Sequence, residues 1–340
     1  MSANAASAKS SPQLGPAELF PAMRFRDKTR LVGICCLALI PAVGLLWRLV
    51  GPSDPFGAVT LVYHPNPAIA MLVLIVYAAA GSALATVLMG GRLTDFGVFA
   101  TGVGLTGLGL RGGDLTVVLQ YEAGSAAARG SVFGTLAVDA LLWIVVPAAA
   151  LAAGAVTEAW LGFMGPAGPG LDTKPPVEPK GVLNRWLVRM GQRTGTTNSW
   201  MTELRHGLLT TLVTAVVAMV IIRIVAGRHD GPVDPGQVCF AIGVGFWLGS
   251  LAACQFCRPA LGIWACLSVP IVAVIGYVAA AMRPDLTGPL VRYSEVAIIA
   301  PNALVRGLPV IYLAIGPAAA ILGIWTGQRI QRLREEAAES

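Results

Sequence analysis

Residues 131–156 read SVFGTLAVDALLWIVVPAAALAAGAV, an apolar block with one acid, Asp139, inside it. A helix rises 1.5 Å per residue, so roughly 20 apolar residues cross the ~30 Å of bilayer hydrocarbon. Blocks of this length recur along the chain. Hydrophobic residues make up 55% of its 340 positions and charged residues 12%, about half the charge of a soluble domain. In lipid only helices and closed barrels satisfy their own backbone, and the blocks lack the period-two alternation of barrel strands. The expected fold class is all-α, a polytopic helical membrane protein with about eight transmembrane helices.

The spans are expected at 31–50, 67–90, 94–111, 131–156, 207–227, 236–257, 260–282 and 308–327. The third is short and holds Gly97, Gly102, Gly104, Gly107 and Gly109, so it either crosses or re-enters. Basic residues collect in cytoplasmic segments. Eight spans with the N-terminus inside put 16 of the 24 Lys and Arg there. Dropping the third span moves the 157–206 loop and the C-terminal tail outside, with nine basic residues between them. The charge distribution therefore favours eight spans in the cell (inner) membrane, both termini cytoplasmic. The net charge of +6 follows from the same asymmetry. No dense basic run or nucleic-acid-binding signature accompanies it, so no nucleic-acid partner is expected. Residues 1–30 form a polar, basic tail without the pattern of a cleavable signal peptide.

The chain reads as two tandem units, 31–156 and 207–327, followed by a cytoplasmic tail, 328–340. Asn66-Pro67 opens the second span and Asp234-Pro235 the sixth, each at the same distance from a Gly-Ser pair, Gly81-Ser82 and Gly249-Ser250. Arg111 and Asp114-Leu-Thr follow the third span; Arg283 and Asp285-Leu-Thr follow the seventh. Tyr121-Glu122 and Tyr293-Ser-Glu295 come next, then Arg129-Gly and Arg306-Gly. Pro147 and Pro317 begin matching Pro-Ala-Ala-Ala runs. Two units with an even number of spans are parallel repeats, related by an axis along the membrane normal. In each unit the Asp is expected to cap a short outer helix, and the paired outer loops frame a second candidate site.

The cytoplasmic linker, 157–206, holds a Pro/Gly stretch and then a segment, 181–193, with Val182, Leu183, Trp186, Leu187 and Met190 on one helical face. Arg185, Arg189 and Arg193 recur every four residues. This pattern fits a helix lying on anionic inner-leaflet lipids or docked on the bundle. Beyond the lipid bilayer itself, Gly245, Gly249 and Ala253 repeat at small-xxx-small spacing, which permits close helix contact within the chain, in a homo-oligomer or with a membrane-complex partner.

Chemistry-bearing residues are sparse. A carboxylate at the centre of an apolar span costs about 2.5–3.5 kcal/mol, so Asp139 needs a partner or a purpose. Its expected partner is Arg223 or another cation in the outer half. Together with the helix-breaking Pro147 and Pro317, the pair marks a candidate substrate or ion pathway. Cys254-Gln-Phe-Cys257 has redox spacing, but its apolar surroundings favour packing residues. Gly107-Leu-Gly-Leu-Arg-Gly112 lies inside an apolar block and lacks the strand that a dinucleotide site needs. His64, His206 and His229 have no metal-ligand spacing. No catalytic residue, metal or cofactor is expected. The first functional expectation is a small-solute or ion transporter with its site at the repeat interface. The alternatives are a non-catalytic subunit or scaffold of a membrane complex and a membrane-embedded lipid-modifying enzyme.

Overall fold

The computed structural model describes residues 25–52, 54, 57–90, 95–122, 126–164, 200–227, 234–257, 262–283, 289–292, 295–298 and 302–339. The segment 181–193, with Arg185, Trp186, Arg189 and Arg193, lies outside them, as do Asp285 and Tyr293. The helices are α1 (Phe25–Pro41), α2 (Trp47–Val50), α3 (Pro67–Leu88), α4 (Asp95–Arg111), α5 (Leu115–Glu122) and α6 (Ala126–Trp143). They continue with α7 (Val145–Met164), α8 (Trp200–Ala226), α9 (Pro235–Phe256), α10 (Ile263–Met282) and α11 (Pro309–Glu339). Among the described residues, seven stretches are long and apolar enough to cross a membrane.

The burial pattern is that of a membrane protein. Along α3, Ile69, Leu72 and Val76 are exposed, while Ala70, Leu74, Ala78 and Ser82 are buried. Apart from Leu74, the residues named facing the neighbouring helices are small, and the large apolar ones named face outward. Water would penalise this arrangement, whereas lipid does not.

Proline shapes two of the spans. Pro41 ends α1, and a π-helical turn, Ala42–Leu46, carries the chain into α2. One carbonyl before that irregular turn and one within it find side-chain donors. The Tyr77 hydroxyl donates to Ala38 O at 2.7 Å, and the Arg111 guanidinium donates to Val43 O while lying 4.9 Å from the Trp47 ring centre. The expected span at 131–156 lies within one apolar stretch, Ala128–Leu161, carried by two helices, α6 and α7, with a turn at Ile144 between them. Pro147 has no N–H to offer Trp143 O, and its ring crowds that carbonyl. Ile144 N–H bonds to Leu141 O, one residue short of α-helical spacing, at 3.2 Å. The two halves then diverge, α6 onto α10 and α7 onto α3. Pro270 and Pro317 sit inside continuous helices.

The glycine-rich α4 is the most centrally placed helix of the N-terminal half. It packs against α1, α3, α7 and α11. A Cβ on Gly102 would lie 2.6 Å from Ala314 O of α11, and one on Gly104 would lie 3.0 Å from Ala38 O of α1. Phe96 and Phe99 close one end of the α4–α11 contact on the Trp325 ring, at 4.9 and 5.3 Å. The glycines lower the apolarity of α4 because its backbone approaches its neighbours directly. The helix runs from beside Gly262, at the start of α10, to beside Val43 and Trp47.

The connection after α10 corrects a second expectation. Where a helix was expected, the chain forms an antiparallel hairpin, β1 (Pro289–Arg292) and β2 (Glu295–Ile298), in register Pro289 to Ile298. Proline at its start and the β-branched Val291, Val296 and Ile298 favour a strand. The helix α5 packs against β2.

Gly102→Val is expected to destabilise the bundle by about 1–3 kcal/mol, the usual cost of overpacking. Gly134→Ala, where a Cβ meets nothing within 4 Å, is expected to gain about 0.5–1 kcal/mol. Thermal unfolding of both variants in detergent checks this; equal melting temperatures would refute the close-packing assignment of α4.

Candidate functional site: a buried polar layer around Asp139

Asp139 lies in the second half of α6 and has no exposed surface. Its partners are backbone amides. Leu61 N–H donates to Oδ1 at 2.9 Å and Val62 N–H donates to the same oxygen at 3.1 Å. These amides belong to the connection between α2 and α3, which folds inward so that Val59, Thr60 and Leu61 are buried. Gly113 N–H donates to Gly57 O at 2.9 Å and ties the same loop to the segment after α4. Irregular backbone at this depth has no water to bond, and an unmatched N–H there is costly. The carboxylate supplies the missing acceptor. Arg223, the expected partner, is exposed on α8, and backbone donors take its place.

Two tyrosines solve the converse problem. The segment between the hairpin and α11 also runs inward, with Val305, Gly307 and Leu308 buried. Its carbonyls need donors. The Tyr277 hydroxyl of α10 donates to Gly307 O, and the Tyr312 hydroxyl of α11 donates to Leu304 O at 2.6 Å. Asn302 accepts from Leu304 N–H at 2.9 Å and Val305 N–H at 3.2 Å. Tyr277 lies within electrostatic reach of both Tyr312 and Asp139. The result is one layer, on α6, α10 and α11, in which an acid meets backbone N–H groups and phenols meet backbone C=O groups.

Two polar atoms of this layer have no hydrogen-bond partner: Asp139 Oδ2 and Trp143 Nε1, both buried. They lie one helical turn apart, just before the break at Ile144. The Trp143 indole is the side-chain donor beside the carboxylate. The site thus offers a carboxylate oxygen with spare capacity, an N–H donor beside it and apolar walls. That chemistry suits a proton. Among the described residues, no three His, Cys, Asp or Glu side chains gather into a metal-binding group.

The other candidate residues have structural partners or stand apart. Asp114 caps α5, accepting from Val117 N–H at 3.3 Å and from the Thr116 hydroxyl at 3.2 Å. Arg111 serves the π-helical turn. Tyr121 and Glu122 end α5, and Glu295 begins β2. Arg283 is exposed at the end of α10. Pro317 is buried in α11, its carbonyl 3.8 Å from Cys266 Sγ. Arg306 bonds Ala226 O, at the end of α8, at 2.7 Å. Cys254 and Cys257 are buried free thiols. Sequence reasoning missed Trp143, Tyr277, Tyr312 and the buried loop. The available signals were two tyrosines inside apolar spans rather than at their ends, and the short apolar run Val59-Thr-Leu-Val-Tyr63 in a loop.

Comparison with known protein families, curated proteins and solved structures returns no match.

Asp139→Ala is expected to leave two buried amides without an acceptor, at about 1–3 kcal/mol each. Asp139→Asn keeps an acceptor oxygen in place and is expected to melt near the wild type, well above the Ala variant. If Asn and Ala melt alike, the amide contacts do not stabilise the fold.

Proposed function

We propose that the protein is a small-solute or ion transporter of the cell (inner) membrane, with its site around Asp139 where two four-helix units meet. The observation that carries this reading is the fully buried carboxylate whose Oδ2 has no hydrogen-bond partner, on a helix broken one turn away. An acid with one oxygen spare, next to irregular backbone, resembles the ion and substrate sites that discontinuous helices build in transporters.

The two-unit reading is supported by packing that comes in matched pairs. With α1–α2, α3, α4 and α6–α7 set against α8, α9, α10 and α11, the contact of α4 with α11 matches that of α10 with α6. Within the units, α3 on α7 matches α9 on α11, α1 on α4 matches α8 on α10, and α4 on α7 matches α10 on α11. A two-fold axis along the membrane normal exchanges such pairs and passes between α6 and α11, which also touch. In this reading α4 is the eighth crossing, the loop carrying Leu61 faces outward, and the basic segments with both termini lie in the cytoplasm.

Pyranine-loaded proteoliposomes challenged with amino-acid, sugar and organic-anion pools test the proposal. Solute-dependent proton movement is expected in the wild type and in Asp139→Glu, and is expected to fall at least tenfold in the folded Asp139→Asn variant. Movement undiminished by Asn would remove Asp139 from the pathway.

A second reading, a subunit of a membrane complex, is favoured by α1. Val32, Leu37 and Ile40 leave much of it uncovered, and Leu45 and Leu49 continue the exposed face through the π-helical turn and α2. Solute flux absent from wild-type proteoliposomes, with a stoichiometric partner retained through purification from native membranes, would favour that reading.

A further inference from the structure

A second feature lies far from Asp139 along the chain. Arg30, Gly33, Ile34 and Leu37 of α1 and Leu88 of α3 line a groove of about 350 Å³. It opens at the start of α1 and the end of α3, so it sits near one end of two membrane-spanning helices. Its depth is due to Gly33, where an added Cβ would meet nothing within 4 Å. Ile34 forms a buried wall, and Leu37 and Leu88 present exposed apolar sides. Arg30 stands at the end of the groove, and both it and Lys28 are exposed. Residues 24–30 carry four basic side chains and one acidic.

We infer that this groove binds an anionic phospholipid, with the headgroup phosphate at Arg30 and one acyl chain along Gly33 and Leu37 towards Leu88. Three properties select that occupant. The groove belongs to helices whose surroundings are acyl chains, so its apolar floor meets hydrocarbon. The cationic end lies at the start of α1, where a membrane-spanning helix meets headgroups. Arginine matches a phosphate with a planar fork of donors. A zwitterionic lipid fits the floor equally well but gains less at the rim. The inference does not rest on the transport proposal, and its failure would leave that proposal untouched.

Full-length protein in detergent is titrated with phosphatidylglycerol or with phosphatidylcholine of the same chain length, and retained lipid is counted by native mass spectrometry. Phosphatidylglycerol is expected to be retained preferentially. Arg30→Gln should weaken it about fivefold, the effect of one basic residue at an anionic headgroup, and leave phosphatidylcholine unchanged. Gly33→Leu should displace both lipids without lowering the melting temperature, because its side chain enters open space. Equal retention of the two lipids by the wild type would overturn the inference, as would undiminished phosphatidylglycerol retention by Gly33→Leu.

Discussion

A peptide group removed from water must find a partner, and inside a membrane that partner has to come from the protein. Most of this chain meets the requirement by being helical. The exceptions are where its few polar side chains are used. The loop before α3 enters the bundle and presents N–H groups, which Asp139 accepts. The segment before α11 enters beside it and presents C=O groups, which Tyr277 and Tyr312 bond. At the π-helical turn after Pro41, Tyr77 bonds the carbonyl of Ala38 just before it and Arg111 bonds that of Val43 within it. Each inward excursion of irregular backbone is matched to a side chain of the opposite hydrogen-bonding sense.

Close packing supplies the rest. Without a hydrophobic drive between helices in lipid, association depends on contact area and interhelical hydrogen bonds. Glycine on α4 brings its backbone against α1 and α11, and Ser82 of α3 donates to Ala150 O of α7 at 2.6 Å. Thr211 of α8 bonds Trp264 O of α10 at 2.6 Å. α6 itself packs on α10 and α11, which places Asp139 where the two halves of the chain meet.

Much of the fold was legible in the sequence because the bilayer imposes a length and a composition on each span. Pro67 and Pro235 marked helix starts, since proline's fixed φ suits the first helical position. The glycines of α4 left its path open, because composition does not distinguish a buried helix that touches its neighbours by backbone from a re-entrant one. Pro147 was visible, but its effect was not: Pro317 lies in a similar run and leaves its helix continuous. The hairpin at Pro289–Ile298 was hidden by an apolar pattern that short helices and strands share. Asp139 was conspicuous as a lone acid in an apolar span. Its partner was not, because pairing by charge overlooks backbone amides, which carry no sequence identity.

The central claim is that Asp139 holds the loop carrying Leu61 and Val62 inside the bundle through one oxygen and keeps the other available. Amide hydrogen exchange at those two residues, followed in lipid nanodiscs, tests it most directly. Both amides should be strongly protected in the wild type and in Asp139→Asn, which retains an acceptor, and should exchange faster by orders of magnitude in Asp139→Ala. Protection at Leu61 and Val62 that survives in the Ala variant would contradict the account.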